Sequence, residues 1–452
     1  MRFIINDHKA IFEECYAVCS RRISIKKSRK EVFDLLVDLD YVPDEEYLDT
    51  VVARNRDRNR TNLLALAGRL EKIFELPLPH APGAKFVGGM VSANSNGVVN
   101  HGNARMGVGG RGVSLQQAFQ SCIGEAAEYL SFIERDDDPL LCALPVEHNL
   151  SDEYLQWALS GGGISQHAAY EEFDWIEARS LSDNEPTWFP ASLVLRQPAR
   201  KRLAGQKSQS TGVSAGIDIK TACEMGLLEV IERDAVGLWW YGGRQARRID
   251  QAFLVETGFM EFAHGIRGSS ERKFWLLDIT TDLGIPVVGA FSANSKGRVV
   301  VAGYASGIRL VDAMKRAFLE MCQMELAQEI SLSKYERLEA KNLCEQDWKW
   351  VKLYKEFSIE NYPALVGESL EPKANNPLQT LTMQSVIERL QIFGFQPSFV
   401  DLTRPEIGIS VVKVLVPGLQ SLDPKWLTPR LVQTANYNNT NLSLTVSNIA
   451  PI

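Results

Sequence analysis

The stretch Ser210-Thr-Gly-Val-Ser-Ala-Gly-Ile-Asp-Ile-Lys-Thr-Ala-Cys-Glu-Met-Gly-Leu-Leu-Glu-Val-Ile-Glu-Arg-Asp-Ala-Val-Gly-Leu-Trp-Trp240 decides how the rest of the chain is read. A glycine-punctuated segment with strand character passes into a long run whose apolar residues leave no open polar face, the pattern of a helix buried inside a larger body. Yet Glu229, Glu232 and Arg233 sit inside that run at i, i+3 and i+4, among Leu227, Leu228, Val230 and Ile231. Ionised groups placed there need partners, because burying an unpaired carboxylate is costly.

Two further helical segments carry the same signature. Ser121, Glu125 and Glu128 share one face of LQQAFQSCIGEAAEYL, and Arg316 and Glu320 lie one turn apart in DAMKRAFLEMCQMEL, with Asp312 one turn before and Gln323 about one turn after. Any one of these helices alone reads as an amphipathic face with an ion pair worth about 0.3 to 0.5 kcal/mol. If the three converge, Arg233 and Arg316 cannot balance the glutamates, and a bound cation supplies the missing charge. Carboxylates without His or Cys suit a hard ion such as Mg²⁺, which is held by a few carboxylates together with water and phosphate oxygens. The expectation is a nucleoside triphosphate site: Glu125, Glu128, Glu229, Glu232 and Glu320 on Mg²⁺, Arg233 and Arg316 on phosphate, and the hydroxyls of Ser121 and Ser214 as hydrogen-bond donors.

Around these helices the chain alternates short β-like stretches (KFVGGMVSA, WIEARSL, KFWLLDIT, RVVVAGYAS, SVVKVLVPG) with long helical ones, which makes the body a mixed α/β or α+β fold. DITTDLGIPVV at 278–288 resembles DLTRPEIGISVV at 401–412, as if one strand-turn-strand unit were used twice in a single sheet system. The pattern from Ala10 to about Phe74 is helical and stops at the breaker LPLPHAPG, so residues 1–78 read as a helical appendage to a body spanning 79–452, with a polar, loop-like tail from about residue 420.

Composition narrows the class. The 452 residues are 45% hydrophobic with a formal charge of -7, which disfavours a nonspecific hold on nucleic acid or an anionic membrane. The basic runs RRISIKKSRK and ARNRDRNR fall in a segment, residues 1–76, with fourteen acidic and fourteen basic side chains. Seven Cys without a C-x-x-C pair fit reduced thiols, and the absence of a signal-like N-terminus or a long apolar span leads to the expectation of a soluble cytoplasmic protein.

Two motifs are decoys. Gly107-Val-Gly-Gly-Arg-Gly112 matches G-x-G-x-x-G, but the preceding VVNHGNARM is too polar for a buried dinucleotide-fold strand, so the run reads as a glycine-rich turn between strand and helix. Gly212-Val-Ser-Ala-Gly216 matches a nucleophile elbow but follows the polar AGQKSQST and lacks a plausible downstream triad.

The blocks GRGVSLQQAFQSCIGEAAEYL, STGVSAGIDIKTACEMGLLEVIERDAVGLWW, KRAFLEMCQ and DLTRPEIGISVVKVLVPGLQ, in that order, resemble the YcaO superfamily over roughly residues 84–420. The resemblance implies ATP and Mg²⁺ as cofactors, bound by helix-borne glutamates without a Walker motif, at the same serine, glutamate and arginine positions named above. It implies phosphorylation of a peptide-backbone amide oxygen: cyclodehydration of Cys, Ser or Thr to an azoline in a ribosomally synthesised precursor peptide, or alternatively thioamide or amidine formation. A catalytically impaired scaffold subunit is the reading from another class. Family members often work with a separate leader-peptide-binding subunit, and the segment before Pro77 is a candidate docking element for one; a homo-oligomer is also compatible. Three positions depart from the family pattern: Ile217 where a polar residue, often Asn, is usual, Thr221 where Glu is usual, and Tyr129 where Arg is frequent. The chain also ends Asn-Ile-Ala-Pro451-Ile452 rather than in a proline-rich tail.

Overall fold

The computed structural model describes residues 8–43, 50–92, 105–144, 172–196, 208–337, 342–356, 358–368, 380–423 and 427–442. Its helices are α1 (His8–Cys19), α2 (Lys30–Asp38), α3 (Val51–Arg69), α4 (Leu115–Phe132), α5 (Ala191–Val194), α6 (Ile219–Trp240), α7 (Gln251–Glu256), α8 (Phe259–Arg267), α9 (Leu310–Arg337), α10 (Glu345–Glu356), α11 (Met383–Ile392) and α12 (Pro429–Tyr437). The strands are β1 (Lys72–Leu76), β2 (Lys85–Ser92), β3 (Arg105–Gly112), β4 (Leu140–Ala143), β5 (Phe173–Ser180), β6 (Pro186–Pro190), β7 (Val213–Gly216), β8 (Arg247–Arg248), β9 (Lys273–Asp278), β10 (Val287–Ala293), β11 (Val301–Ser306), β12 (Ser398–Asp401) and β13 (Ser410–Leu415).

The strands form three antiparallel sheets among the described residues: β1-β2-β3, β11-β10-β9-β8, and β4-β5-β12-β13-β7 with β6 beside β5. This is the mixed α+β architecture expected from the sequence. Helix α4 lies on β3 and β2 and reaches β7; α6 lies on β13 and β7 and reaches β11; α9 lies on β11 and β10 and reaches β3. Each of the three long helices therefore rests on its own sheet and touches the strand belonging to the next, which closes a ring.

The local chemistry of the helix starts is plain. Ser114 Oγ caps α4 by accepting from Gln117 N at 3.3 Å, and Gln117 Oε1 accepts from Val113 N at 3.1 Å, one residue before the cap. Asp218 caps α6 by accepting from Thr221 N at 2.7 Å, and that backbone bond holds its carboxyl below the usual range. Downstream, α6 is buried on nearly every side, from Ala222 to Trp240. The WWYGG segment packs in the core: Trp239 lies 5.7 Å from Phe291 and 6.2 Å from Tyr304, ring to ring.

Four features differ from the sequence reading. The glycine motif at 107–112 is a strand, paired with β2 from Lys85↔Gly112 to Ser92↔Arg105, rather than a turn. Its glycines are there for the helix above: a Cβ at Gly110 would stand 2.1 Å from Ala118 O and 2.2 Å from Cys122 N, so α4 lies directly on the β3 backbone. Secondly, the helical pattern ends at Arg69, and the residues Lys72–Leu76 form β1, whose register with β2 runs Lys72↔Met90 to Leu76↔Phe86. The apolar residues of α1–α3 share one core with α4, β5 and β13, including Phe12 stacked 5.8 Å from Phe119.

Thirdly, the twin segments at 278–288 and 401–412 are equivalent hairpin corners in two different sheets. Asp278 accepts from Thr280 N at 2.9 Å and Asp401 accepts from Thr403 N at 2.9 Å, followed by matching bonds Ile279 N to Val287 O and Leu402 N to Val411 O. Lastly, the polar tail contains α12, started by Thr428 and Pro429 and seated through buried Leu431 and Ala435. Arg430 on that helix meets Asp234 at 3.1 Å and also pairs with Asp282. Residues 443–452, the end of the tail, lie outside the described residues. None of the seven cysteines is in a disulfide. Among the described residues no helix is long and apolar enough to cross a membrane.

Candidate nucleotide and metal site

Where the three helices meet, each of four glutamates is held by a backbone amide of a strand or its lead-in. Glu125 accepts from Gly109 N at 2.7 Å, Glu128 from Ala215 N at 2.7 Å, Glu229 from Gly212 N at 3.3 Å and Glu320 from Tyr304 N at 2.9 Å. The close contact of helix on strand makes this reach possible. A Cβ at Gly303 would lie 2.2 Å from Met321 N and 2.5 Å from Ala317 O, and one at Gly226 would lie 2.7 Å from Ser214 Oγ. Each such bond occupies one carboxylate oxygen and fixes where the other one points.

Arginines come in from all sides. Arg233 lies 3.5 Å from Glu232 and 3.7 Å from Glu229. Arg111 donates to Gln323 Oε1 at 2.8 Å and stands 3.6 Å from Glu320. Arg316 reaches the carbonyl of Ser306 at 3.4 Å, and its electrostatic neighbours are Glu232, Arg111 and Glu320.

The carboxylates remain in excess of the charge that these partners supply, and their acidities record it. Burial pushes Glu128 well above the usual carboxylate range, against the pull of the Ala215 amide, and Glu229 and Glu125 push it the same way. Burial also raises Glu125 and Glu229, opposed by the Gly109 amide and Arg111 at the first and by Arg233, Lys413 and the Gly212 amide at the second. For Glu232 burial outweighs Arg233, and with Glu320 and Glu229 nearby the pKa rises to about 8. Burial works against the charge of both arginines; at Arg233 the surrounding glutamates win and raise it, whereas at Arg316 burial wins and lowers it.

These residues fit Mg²⁺. The donors are hard oxygens, they are pre-aimed by peptide amides, and their pKa values are raised by burial with neighbouring carboxylates adding to the rise, which a bound cation would offset. Among the described residues no group of three or more His, Cys, Asp or Glu side chains could by itself hold a metal ion. Mg²⁺ does not need such a cage, because it takes one or two carboxylates and completes its shell with water and phosphate oxygens.

The structure gathers Glu125, Glu128, Glu229, Glu232, Glu320, Arg233 and Arg316 into one electrostatic cluster. Ser121 lies exposed on α4, and Ser214 is buried with its hydroxyl donating to Ala222 O at 2.6 Å. That bond also explains why G-x-S-x-G is no elbow here. Asp312 pairs with Arg309 at 2.7 Å and also acts on the charge of Arg316. Of the departures from the family pattern, Ile217 is 54% exposed just before the Asp218 cap and Thr221 occupies the first turn of α6.

Two members escaped the sequence reading. Arg111 was hidden in the glycine motif set aside as a decoy, and Lys413 stands in the middle of the apolar strand SVVKVL. A cation in a central strand is itself a signal, since a fully buried lysine is rare.

Residues 109–420 match the family described as YcaO cyclodehydratase, ATP- and Mg²⁺-binding. A protein of Methanothermobacter thermautotrophicus is 26% identical over 340 residues, covering 71% of this chain and 84% of that one. Among solved structures, a heterocyclase in complex with substrate and cofactor superposes with a TM-score of 0.67 at 22% identity, over 84% of this chain and 54% of the other, so the chain spans about half of that heterocyclase. YcaO from Methanopyrus kandleri bound with AMPPCP and Mg²⁺ superposes with a TM-score of 0.53 at 18% identity, over 80% of this chain and 91% of the other. With the ring of helices, the amide-anchored glutamates and a family match that spans most of its length, this chain belongs to the YcaO family, whose cofactors are ATP and Mg²⁺.

Proposed function

We propose that this protein uses ATP and Mg²⁺ to activate a peptide-backbone amide by phosphorylating its oxygen, and that it then closes a Cys, Ser or Thr side chain of a precursor peptide into an azoline. The observation that carries this reading is the convergence of Glu125, Glu128, Glu229, Glu232 and Glu320 from three helices beside Arg111, Arg233 and Arg316. Such a site provides what phosphoryl transfer asks of a protein: positioned oxygens for the metal and fixed cations for phosphate charge.

Bound MgATP would supply an electrophilic γ-phosphorus. Glu125, Glu128, Glu229, Glu232 and Glu320 would share the Mg²⁺ ions, one or two carboxylates to each, and Arg233, Arg316 and Arg111 would face phosphate oxygens, with Ser121 on α4 and Ser214 on β7. The amide oxygen forms a bond to phosphorus as the bond to ADP breaks. Attack of the neighbouring thiol or hydroxyl on the activated carbon, with loss of its proton and of the amide N–H proton to solvent and departure of the oxygen as phosphate, leaves the C=N ring, so the peptide loses the elements of one water. An external sulfur nucleophile at the same carbon would give a thioamide instead, and the mass change separates the two products.

A cleft of about 710 Å³ lies at the C-terminal end of α6, walled by Trp239, Trp240, Tyr362 and Pro363. Since Trp239 contacts Tyr304, whose amide holds Glu320, this cleft is the natural entry for the peptide. A separate leader-binding subunit would use other surface, with the helices α1–α3 as the proposed docking element.

The test is calorimetric titration of ATP with and without Mg²⁺ on the native chain and on Glu125→Gln and Glu232→Gln. Metal-dependent binding that both substitutions abolish supports the reading; no binding by the native chain overturns it.

A further inference from the structure

Lys413 is 3% exposed, lies in the interior of β13 opposite Val213, and sits with its ammonium 5.1 Å from the centre of the Phe132 ring. It makes no ion pair with any described carboxylate. Its Nζ donates instead to the carbonyl of Gln209, and its electrostatic partner is Glu229. The neighbouring Val414 N donates to Gly212 O at 2.8 Å, and Val213 N closes the turn onto Ser210 O at 2.8 Å. The turn 209–212 is thus clamped to β13 at both ends, and its Gly212 amide is the group that holds Glu229.

A buried ammonium without an anion in contact is an expensive way to fill this space. The cavity beside it, about 70 Å³, is walled by Leu193, Val230 and Leu419 on the apolar side and by Gln209, Thr211 and Gln420 on the polar one, and a methionine there would pack without the desolvation cost of a charge. The lysine therefore earns its place by something other than packing.

We infer that Lys413 is a positioning residue for the nucleotide site, acting through Glu229: its bond to the Gln209 carbonyl pins the turn whose amide aims that carboxylate. The inference rests on reading the carboxylate cluster as the nucleotide site. It assigns Lys413 no contact with substrate.

A double-mutant cycle tests it, with the affinity for ATP in the presence of Mg²⁺ and the thermal midpoint measured for the native chain, Lys413→Met, Glu229→Gln and the double variant. The expected result is a loss of about tenfold in affinity for Lys413→Met, at a thermal midpoint close to or above the native one, and no further loss when Glu229 is already Gln. Lys413→Arg should recover most of the affinity. Equal losses on both backgrounds, unchanged affinity in Lys413→Met, or a lowered midpoint with native affinity would each overturn the inference while leaving the nucleotide site standing. Failure of the native chain to bind ATP would remove that site, and the inference with it. If Lys413→Met does not fold, Lys413→Gln takes its place in the cycle.

Discussion

The amide of Tyr304 in β11 lies 2.9 Å from the carboxylate of Glu320 in α9, a distance that exists only because residue 303 between strand and helix has no side chain. The same construction recurs at Gly109 and Glu125, where Gly110 lets α4 settle on β3. Backbone contact and carboxylate placement are therefore one property of the fold.

Substituting the contact glycines should accordingly damage stability and site together. Gly303→Ala and Gly110→Ala are expected to cost about 2 kcal/mol or more, because the new Cβ meets backbone atoms that cannot step aside. Gly107→Ala, with nothing within 4 Å of its Cβ position, should stay within about 0.5 kcal/mol of native. Urea unfolding of the three variants measures the contrast.

The stability of the nucleotide-free protein should fall as pH rises. Glu232 has a folded pKa of about 8 against an ordinary value of 4.5, so the folded state holds its proton more tightly than the unfolded chain. The contribution is fully present below about pH 4.5 and is lost on the way up through pH 8. Thermal midpoints should therefore drop across this window, Glu232→Gln should flatten the dependence, and MgATP should oppose it by stabilising the ionised carboxylates. A flat profile in the native chain would contradict the raised pKa of the buried Glu232.

Arg111 is expected to contribute to nucleotide affinity although it lies outside the helices that mark the site. Arg111→Gln keeps a polar group near Gln323 and Glu320 while removing the charge, so the fold should survive and affinity for MgATP should fall by about tenfold. Calorimetry beside a far-ultraviolet circular dichroism spectrum checks both halves of that statement.

Arg430 should behave in the opposite way. It compensates Asp234, which is fully buried two residues beyond Glu232, and it joins α12 to α6. Arg430→Met should cost about 3 kcal/mol by leaving that carboxylate uncompensated, while the folded fraction still binds MgATP. Unfolding curves with and without nucleotide separate the two effects.

Much of this molecule could be read from its sequence, and the limits have physical causes. Glutamates spaced at i, i+3 and i+4 inside apolar helices mark themselves, because burial makes them anomalous wherever the helix lies. The strand Arg105–Gly112 did not, since its side chains carry no alternating pattern and its identity comes from pairing with β2 and from the helix pressed on it. β1 was lost for a related reason: Ile73 and Phe74 continue the periodicity of α3, and only the ladder to β2 converts the segment to a strand. Sequence alone also could not reveal the peptide amides that hold the glutamates, because every residue but proline has one.

That last point bears on how such a site persists through descent. The groups that aim the glutamates belong to the main chain, so no substitution except proline deletes them, and apart from the contact glycines the strand side chains around them are at liberty to drift. Selection need preserve only a handful of glutamates and the tight seats beneath three helices. A lineage can then diverge far in sequence without losing the groups that aim the glutamates.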